Sequence, residues 1–182
     1  MLLKEKVRRQ FILLREKRYF SSDSKLFRPL INLINKRKKK KISLYYPSNY
    51  ELDTVKLFKI LKGKKGLSTS LPIISSKGSM KFVKWELSDP LQVNRYGFLE
   101  PALIKKAFIP DLVLVPMVAY DEFHNRLGYG KGYYDRFLGK YLKKNKNILT
   151  IGLAFSFQKY KKIPTSKHDV KLDYILTEKG IF

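Results

Sequence analysis

The chain has 182 residues, of which 44% are hydrophobic and 14% aromatic, enough for one domain with a substantial core. It contains no cysteine, which excludes disulfides, thiolate metal sites and cysteine nucleophiles. The longest apolar run, residues 112–120, is about half of the ~20 residues that a membrane span needs. The basic N-terminus lacks the continuous apolar core of a secretory signal. We expect a single domain over residues 1–182, located in the cytoplasm without a membrane partner.

The formal net charge of +24 would attract any polyanion, so nucleic-acid binding has to be considered. Only nine of the 39 basic residues are arginine, and the excess is spread along the whole chain. No aromatic RNA-binding signature, zinc-finger spacing or helix-turn-helix pattern accompanies it. The densest run, residues 36–41, lies between a predicted helix and a predicted strand. We therefore expect a lysine-rich surface and no specific nucleic-acid partner.

Hydrophobic periodicity predicts strands that alternate with helices. Leu3, Val7, Phe11 and Leu14 recur at helical spacing near the N-terminus, and segment 111–115, which is apolar from Leu112 onward, is typical of a strand buried on both faces. Further elements follow from the same patterns. Helices are predicted over 2–18, 26–34, 53–62 and 133–142, and strands over 42–46, 67–74, 80–87, 111–115, 148–154 and 174–177.

Residues 88–110 contain several prolines and Gly97, and we expect them to be irregular. Alternating strands and helices indicate a largely parallel sheet that is covered on both sides. The sequence therefore predicts a three-layer α/β/α single domain with a mostly parallel central sheet.

A glycine-rich loop follows the buried strand that ends at Pro116. Gly128, Gly130 and Gly132 stand at alternate positions, interleaved with cationic and aromatic residues, and a predicted helix follows. In such sheets ligands bind beyond the carboxyl ends of the strands, where this loop begins. Glycines permit positive φ and close backbone approach, so successive N–H groups can converge on phosphate oxygens. The pattern favours an oligophosphate site.

Charged residues around the loop fit the same ligand. Arg126 and Lys131 could neutralise phosphate oxygens, and Asp135, in the first turn of the helix, could hold magnesium. Plainer interpretations stay open at this point. Glycines at alternate positions are common in ordinary turns, Tyr133 and Tyr134 could be core aromatics, and Asp135 could be a simple helix-start charge.

The longer string PMVAYDEFHNRLGYGKGYYDRFL closely resembles the signature of the 5-formyltetrahydrofolate cyclo-ligase family, also called methenyltetrahydrofolate synthetase. That family carries P-G-x-A/G-F-D followed by G-x-R-L-G-x-G-x-G-Y-Y-D. Met117 replaces the first glycine and His124 the second, with Asn125 at the variable position, while residues 126–135 fit throughout. This match is far more specific than three spaced glycines.

Other blocks resemble the same family in the expected order. The segment ISLYYPSNYELDT resembles its strand-loop with a buried glutamate, and YGFLEP resembles its Y-G-I-x-E-P. Its N-terminal K-x-x-x-R resembles Lys4 and Arg8, although the neighbouring Lys6 and Arg9 leave that register open. The MKFVKW hairpin and the C-terminal HDVKLD, resembling H-D-x-x-x-D, complete the set.

The resemblance implies an enzyme that uses ATP and Mg²⁺ to convert 5-formyltetrahydrofolate into 5,10-methenyltetrahydrofolate, with release of ADP and phosphate. Phosphorylation turns the formyl oxygen into a leaving group, and a neighbouring amine then closes the ring. No protein nucleophile is needed, so positioning and charge neutralisation carry the catalysis. We expect a monomer whose folate substrate can carry a polyglutamate tail.

The resemblance also implies site residues. Arg126 and Lys131 are the expected catalytic residues, and Asp135 and Asp169 the expected magnesium ligands. The expected ATP-binding residues are Lys4, Arg8, Arg126, Leu127, Gly128, Tyr129, Gly130, Lys131, Gly132, Tyr133 and Tyr134. The expected folate-binding residues are Tyr46, Glu51, Met80, Trp85, Tyr96 and Tyr133, with Phe82 a further aromatic candidate.

Two alternatives keep part of this interpretation. Another small-molecule ATPase or a sugar-phosphate isomerase could use the same phosphate site on a related α/β fold. A basic nucleic-acid-binding protein would explain the net charge, but nothing in nucleic-acid binding requires the whole RLGYGKGYYD string.

Overall fold

Apolar residues that alternate between two cores build the central sheet. A computed structural model describes residues 2–75, 78–103 and 105–182. In β7 (Leu112–Pro116), Leu112 and Leu114 pack into one core, whereas Val113 and Val115 pack into the other. Because successive side chains of a strand point to opposite faces, a continuous apolar run fills both sides of the sheet.

The helices lie close to the predicted positions, and the strands are generally shorter. The α-helices are α1 (Leu2–Arg18), α2 (Arg28–Lys36), α3 (Val55–Leu61) and α4 (Tyr133–Tyr141), with 3₁₀ turns at Ser24–Phe27 and Ser156–Gln158. The strands are β1 (Lys41–Ser43), β2 (Ser68–Ile74), β3 (Met80–Lys84), β4 (Leu91–Val93), β5 (Leu99–Pro101), β6 (Ala107–Phe108), β7, β8 (Ala119–Tyr120), β9 (Arg126–Leu127), β10 (Leu149–Leu153), β11 (Tyr174–Thr177) and β12 (Gly180–Ile181). No helix in the described part of the chain is long and apolar enough to span a membrane.

The described residues form one eight-stranded sheet in the order β12-β11-β10-β7-β1-β2-β3-β6. Its five central strands, β11 through β2, run parallel, with Ile42 in register with Leu112 and Thr69. Only the edges are antiparallel, where β12 pairs with β11 and the β3–β6 pair extends from β2. The predicted mostly parallel sheet is confirmed.

Helices cover both faces of this sheet. Leu30 and Ile34 of α2 pack with α3 against one face, and Phe137 and Leu138 of α4 pack against the other. Helix α1 lies elsewhere, because its buried residues Val7 and Phe11 pack against the β8–β9 hairpin and Ile163. This position brings the N-terminal helix beside the loop that follows β9.

Some expectations were wrong in detail. Residues 88–110 are not wholly irregular, since β4 pairs with β5 and β6 pairs with the edge strand β3. These ladders are only two or three residues long, so Pro101 is tolerated at an outer edge. The hairpin of β8 and β9 and the terminal strand β12 were also missed. Leu3 is 54% exposed rather than buried, because the hairpin contacts α1 only from Val7 onward.

Gly152 of β10 provides a test of the sheet packing. A Cβ atom there would lie 2.8 Å from Leu172 Cδ1 and 2.9 Å from Ile175 Cδ1, well inside normal contact. We expect Gly152→Ala to lower the free energy of unfolding by about 1–3 kcal/mol through overpacking. Urea denaturation measures this change.

The matched control is Gly139→Ala in α4, where the new Cβ would meet only Val170 Cγ2, at 4.0 Å. Since alanine favours helix over glycine, this variant should gain up to about 1 kcal/mol. Equal effects of the two substitutions would contradict the close packing at Gly152.

Candidate active site

The glycine-rich loop connects β9 to α4 across the open end of the parallel strands. Gly132 caps α4 with φ 66°, and Gly130 has φ 92°, so both lie in the left-handed region that favours glycine. A Cβ atom on Gly130 would also lie 3.3 Å from Arg8 Cζ. Gly128 has no positive φ, so the expected backbone geometry occurs at two of the three glycines.

Two cations of α1 face this loop. The Arg8 Nε donates a hydrogen bond of 2.8 Å to the Gly128 carbonyl, and the Lys4 Nζ donates one of 2.6 Å to Asp169 Oδ2. Lys4 and Arg8 lie one helical turn apart, which explains why both reach the same side. Lys6 and Arg9 are exposed. The structure thus selects the Lys4–Arg8 register that the sequence left open.

Arg126 joins three segments beneath the loop. Its side chain is 4% exposed, and its Nη2 lies 2.6 Å from Asp135 Oδ1. Its Nη1 donates to the Val170 carbonyl, while the Val170 N–H donates to Asp135 Oδ1 at 3.0 Å. Burial lowers the pKa of Arg126, and the adjacent Asp135 opposes that shift. The guanidinium therefore holds Asp135 against the segment that carries Asp169.

The two aspartates fit a magnesium ion. Asp169 Oδ2 accepts hydrogen bonds from Lys4 and from the Ser166 N–H. Asp135 Oδ1 accepts hydrogen bonds from Arg126 Nη2 and from the Val170 N–H. Burial raises the pKa of Asp169, but these hydrogen bonds outweigh it, so the pKa lies below its ordinary value. Both carboxylates face one cavity, where Mg²⁺ typically needs one or two carboxylates together with phosphates. Within the described ranges, no cluster of three or more His, Asp or Glu side chains could hold a metal alone.

A buried carboxylate also binds a side chain of the loop. Glu51 is 7% exposed. Its Oε2 accepts hydrogen bonds from the Ser48 N–H at 2.9 Å and from the Ser48 hydroxyl at 3.3 Å, and its Oε1 accepts one from the Tyr129 hydroxyl. Burial raises the pKa of Glu51 above its ordinary value, and these donors and the charge of Arg15 offset only part of that rise. A carboxylate held this way suits a ligand edge rich in N–H groups.

The glycine-rich loop, the cations Lys4, Arg8 and Arg126, and the three carboxylates line one cavity of about 720 Å³. This volume lies within the usual range for small-molecule sites. Its walls include residues at or just beyond the carboxyl ends of β1, β2 and β7, where the sequence predicted the site. The predicted site residues on these walls are Lys4, Arg8, Tyr46, Glu51, Met80, Tyr96, Arg126, Leu127, Gly128, Tyr129, Gly130, Lys131, Gly132, Tyr133, Tyr134, Asp135 and Asp169.

Aromatic side chains form part of the cavity wall. The Tyr133 hydroxyl donates a 2.6 Å hydrogen bond to the Tyr96 hydroxyl, with ring centroids 5.9 Å apart. The Lys131 ammonium lies 5.7 Å from the centroid of the Tyr96 ring, at the exposed mouth. The Tyr134 hydroxyl is buried and has no hydrogen-bond partner within the described residues, so it offers a polar atom to a ligand.

Trp85 and Phe82 require correction, because the structure does not bring either to the cavity. Trp85 is 2% exposed in the core behind Tyr46, with its ring centroid 4.8 Å from that of Phe58. Phe82 is fully buried and packs against Phe137 of α4 at 4.8 Å. Trp85 belongs to one core and Phe82 to the other, so the two side chains fill opposite faces of the sheet.

Sequence reasoning also missed residues of the site. Glu5 is adjacent to the predicted Lys4, and Glu100 lies inside the quoted YGFLEP block, so the sequence pointed to both positions. For neutral wall residues such as Asn94, no sequence pattern indicated a place in the site. The missed wall residues are Glu5, Tyr45, Ser48, Pro72, Ile74, Asn94, Phe98, Leu99, Glu100 and Pro116.

The chain is similar in sequence to known proteins. A sequence model of the 5-formyltetrahydrofolate cyclo-ligase family matches residues 3–178. The 5-formyltetrahydrofolate cyclo-ligase of Haemophilus influenzae is 34% identical over 152 residues, covering 80% of each chain. That of Escherichia coli is 29% identical, covering 78% of this chain and 79% of its own.

Solved structures show the same fold. The 5,10-methenyltetrahydrofolate synthetase of Aquifex aeolicus superposes with a TM-score of 0.76 at 29% identity, covering 98% of this chain and 91% of its own. That of Mycoplasma pneumoniae gives 0.73 at 26% identity, covering 96% and 98%.

Proposed function

The chain belongs to the 5-formyltetrahydrofolate cyclo-ligase family, and on that premise we propose that it converts 5-formyltetrahydrofolate into 5,10-methenyltetrahydrofolate with ATP and Mg²⁺. One observation carries the proposal. A single cavity joins the glycine-rich loop, the carboxylates of Asp135 and Asp169, and the buried carboxylate of Glu51. A phosphate-binding end and an end that accepts N–H donors therefore share one volume, as a reaction between two substrates requires.

The nucleotide belongs at the loop and the helix start. Gly130 and Gly132 present backbone N–H groups next to the N-terminus of α4, whose dipole favours anions. Lys4, Arg8 and Lys131 surround the same end and can neutralise phosphate oxygens. Asp135 and Asp169 would hold the magnesium ion beside them.

The folate belongs at the other end. Glu51 would accept the N–H groups of the pteridine ring, and Tyr46, Met80, Tyr96 and Tyr133 would contact its flat faces.

ATP supplies the γ-phosphoryl group that turns the formyl oxygen into a leaving group, after which the neighbouring amine closes the ring. The residues of the chain contribute charge and position. Lys131 and Arg126 would neutralise charge at the transferred group, Arg126 chiefly through its hold on Asp135. Tyr133 lines the same cavity and would keep the folate aligned. No side chain has to form a covalent bond, so catalysis rests on alignment and electrostatics.

Further features of the enzyme belong to the same proposal. We infer a cytoplasmic monomer that has no specific nucleic-acid partner. The exposed Arg136, whose guanidinium lies 4.9 Å from the centroid of the Tyr133 ring, supports binding of an anionic polyglutamate tail at the cavity mouth.

A spectroscopic assay for methenyl-folate formation tests the proposed reaction. We expect product to form from 5-formyltetrahydrofolate only when both ATP and Mg²⁺ are present, with one ADP released per product. ATP hydrolysis that ignores the folate would favour another small-molecule ATPase. Absence of methenyl product under all conditions would contradict the proposal.

Paired substitutions test which end binds which substrate. Glu51→Gln removes the carboxylate charge and should raise the KM for the folate about tenfold or more, because hydrogen bonds to charged groups contribute about 1.5–3 kcal/mol. Lys131→Ala should instead raise the KM for ATP by a similar factor. Steady-state kinetics with each substrate varied in turn measures both effects.

The matched controls are Glu86→Gln and Lys140→Ala, two exposed residues outside the cavity. They should leave both KM values within about twofold of the unchanged protein. Equal losses for both substrates in each cavity variant would contradict the assignment of the two ends.

A further inference from the structure

Arg15 is a charged residue at a core position of α1. Val7, Phe11 and Arg15 follow one another at intervals of four residues, which places them on one face of the helix. Val7 is 2% exposed, Phe11 5% and Arg15 1%. Burying a charge without partners costs several kcal/mol, so an arginine at such a position needs a compensating contact.

The contacts of Arg15 lead to the active site. Its Nη1 donates a hydrogen bond of 3.2 Å to the Met117 carbonyl, and its Nη2 donates one of 2.7 Å to the Tyr129 hydroxyl. The guanidinium also lies 5.6 Å from the centroid of the Tyr129 ring. Arg15 itself does not line the cavity, so it acts from behind the wall.

The donor directions in this chain of contacts are fixed. Arginine can only donate, so the Tyr129 oxygen accepts from Arg15. The Tyr129 hydroxyl in turn donates a hydrogen bond to Glu51 Oε1. Burial and the neighbouring Glu51 raise the pKa of Tyr129 well above its ordinary value, so the hydroxyl keeps its proton. Arg15 and the Glu51 carboxyl group are therefore linked through one neutral hydroxyl.

Arg15 is the cation whose charge lowers the pKa of Glu51. The other ionisable groups facing Glu51 are the hydroxyls of Tyr45, Tyr129 and Tyr134. Burial raises the pKa of all three, so they stay neutral.

The remaining cations of the cavity have other partners. Lys4 binds Asp169, Arg8 binds the Gly128 carbonyl, and Arg126 binds Asp135. The Lys131 ammonium lies 5.7 Å from the centroid of the Tyr96 ring. They are therefore committed to the phosphate end rather than to Glu51.

We propose that Arg15 is a positioning residue that acts through the Tyr129 hydroxyl to keep Glu51 ionised and oriented for the folate ring. The proposal rests on the proposed function. It also links the two ends of the site, because Tyr129 lies between Gly128 and Gly130 of the loop assigned to the nucleotide. The loop thus offers its backbone to phosphate and one side chain to the folate carboxylate.

The test measures equilibrium binding of 5-formyltetrahydrofolate without ATP, by titration calorimetry across a range of pH. Glu51 binds in its ionised form, and removal of the Arg15 charge raises its pKa. In Arg15→Met the pH below which affinity falls should therefore move upward. Each unit of that shift weakens binding about tenfold at acid pH and has little effect at alkaline pH.

Two further variants separate positioning from packing. Tyr129→Phe keeps the ring but removes the bridging hydroxyl, and it should shift the pH profile in the same direction. Arg15→Lys keeps the charge without the planar fork and should restore part of the profile. The matched control is Arg18→Met, an exposed arginine of the same helix, which should leave the profile unchanged.

The outcomes are distinct. If Arg15 only stabilised the core, Arg15→Met would lower the fraction of protein that is able to bind folate. The Kd and its pH profile would then stay those of the unchanged protein. That result would overturn the proposal. If Arg15→Met does not fold, an unchanged pH profile in Tyr129→Phe is sufficient to overturn it. No folate binding by the unchanged protein at any pH would contradict the proposed function itself, and with it the premise.

Discussion

The ion pair between Arg126 and Asp135 fixes the arrangement on which the site depends. Arg126 is the first residue of β9, Asp135 lies in the first turn of α4, and both bind Val170 of the C-terminal segment. Three parts of the chain that are distant in sequence are joined within one set of hydrogen bonds. Since the guanidinium is almost fully buried, removal of either partner would leave an uncompensated charge, which is strongly unfavourable.

A neighbouring cation likewise supports each of the other carboxylates that the cavity offers to ligands. Each carboxylate assigned to a ligand has its own cationic support: Asp135 has Arg126, Asp169 has Lys4, and Glu51 has Arg15 through Tyr129. The supports come from the N-terminal helix and the hairpin, whereas two of the carboxylates come from α4 and the C-terminal segment. A site assembled this way requires both ends of the chain to be folded before it can bind either substrate.

Much of the fold could be predicted from local patterns. The apolar run ending at Pro116 and the helical spacing around Val7 and Phe11 indicated their elements correctly, because periodicity reports burial directly. The short ladders within residues 88–110 carry no such signal, because two or three residues are too few for a period to show. Trp85 was predicted to bind folate although it lies in the core, because an aromatic side chain suits a core and a ligand wall equally well.

The site could be predicted mainly where a motif was long. The string from Arg126 to Asp135 and the blocks around Lys4, Glu51 and Asp169 named residues that line one cavity. Arg15 was missed because an arginine on a helix that is otherwise rich in basic residues looks like another solvated charge. Only its interval of four from Phe11 marked it as a core position, and only the structure shows the tyrosine that it reaches.

The central claim is that one cavity holds the nucleotide on the glycine-rich loop and the folate on Glu51. The most direct measurement is a crystal structure with 5-formyltetrahydrofolate, Mg²⁺ and an ATP analogue that cannot transfer its terminal phosphate. We predict phosphates on the backbone of residues 128–132, the metal on Asp135 and Asp169, and the pteridine N–H edge on the Glu51 carboxylate. Density for the phosphates away from that loop, or for the pteridine away from Glu51, would contradict the claim.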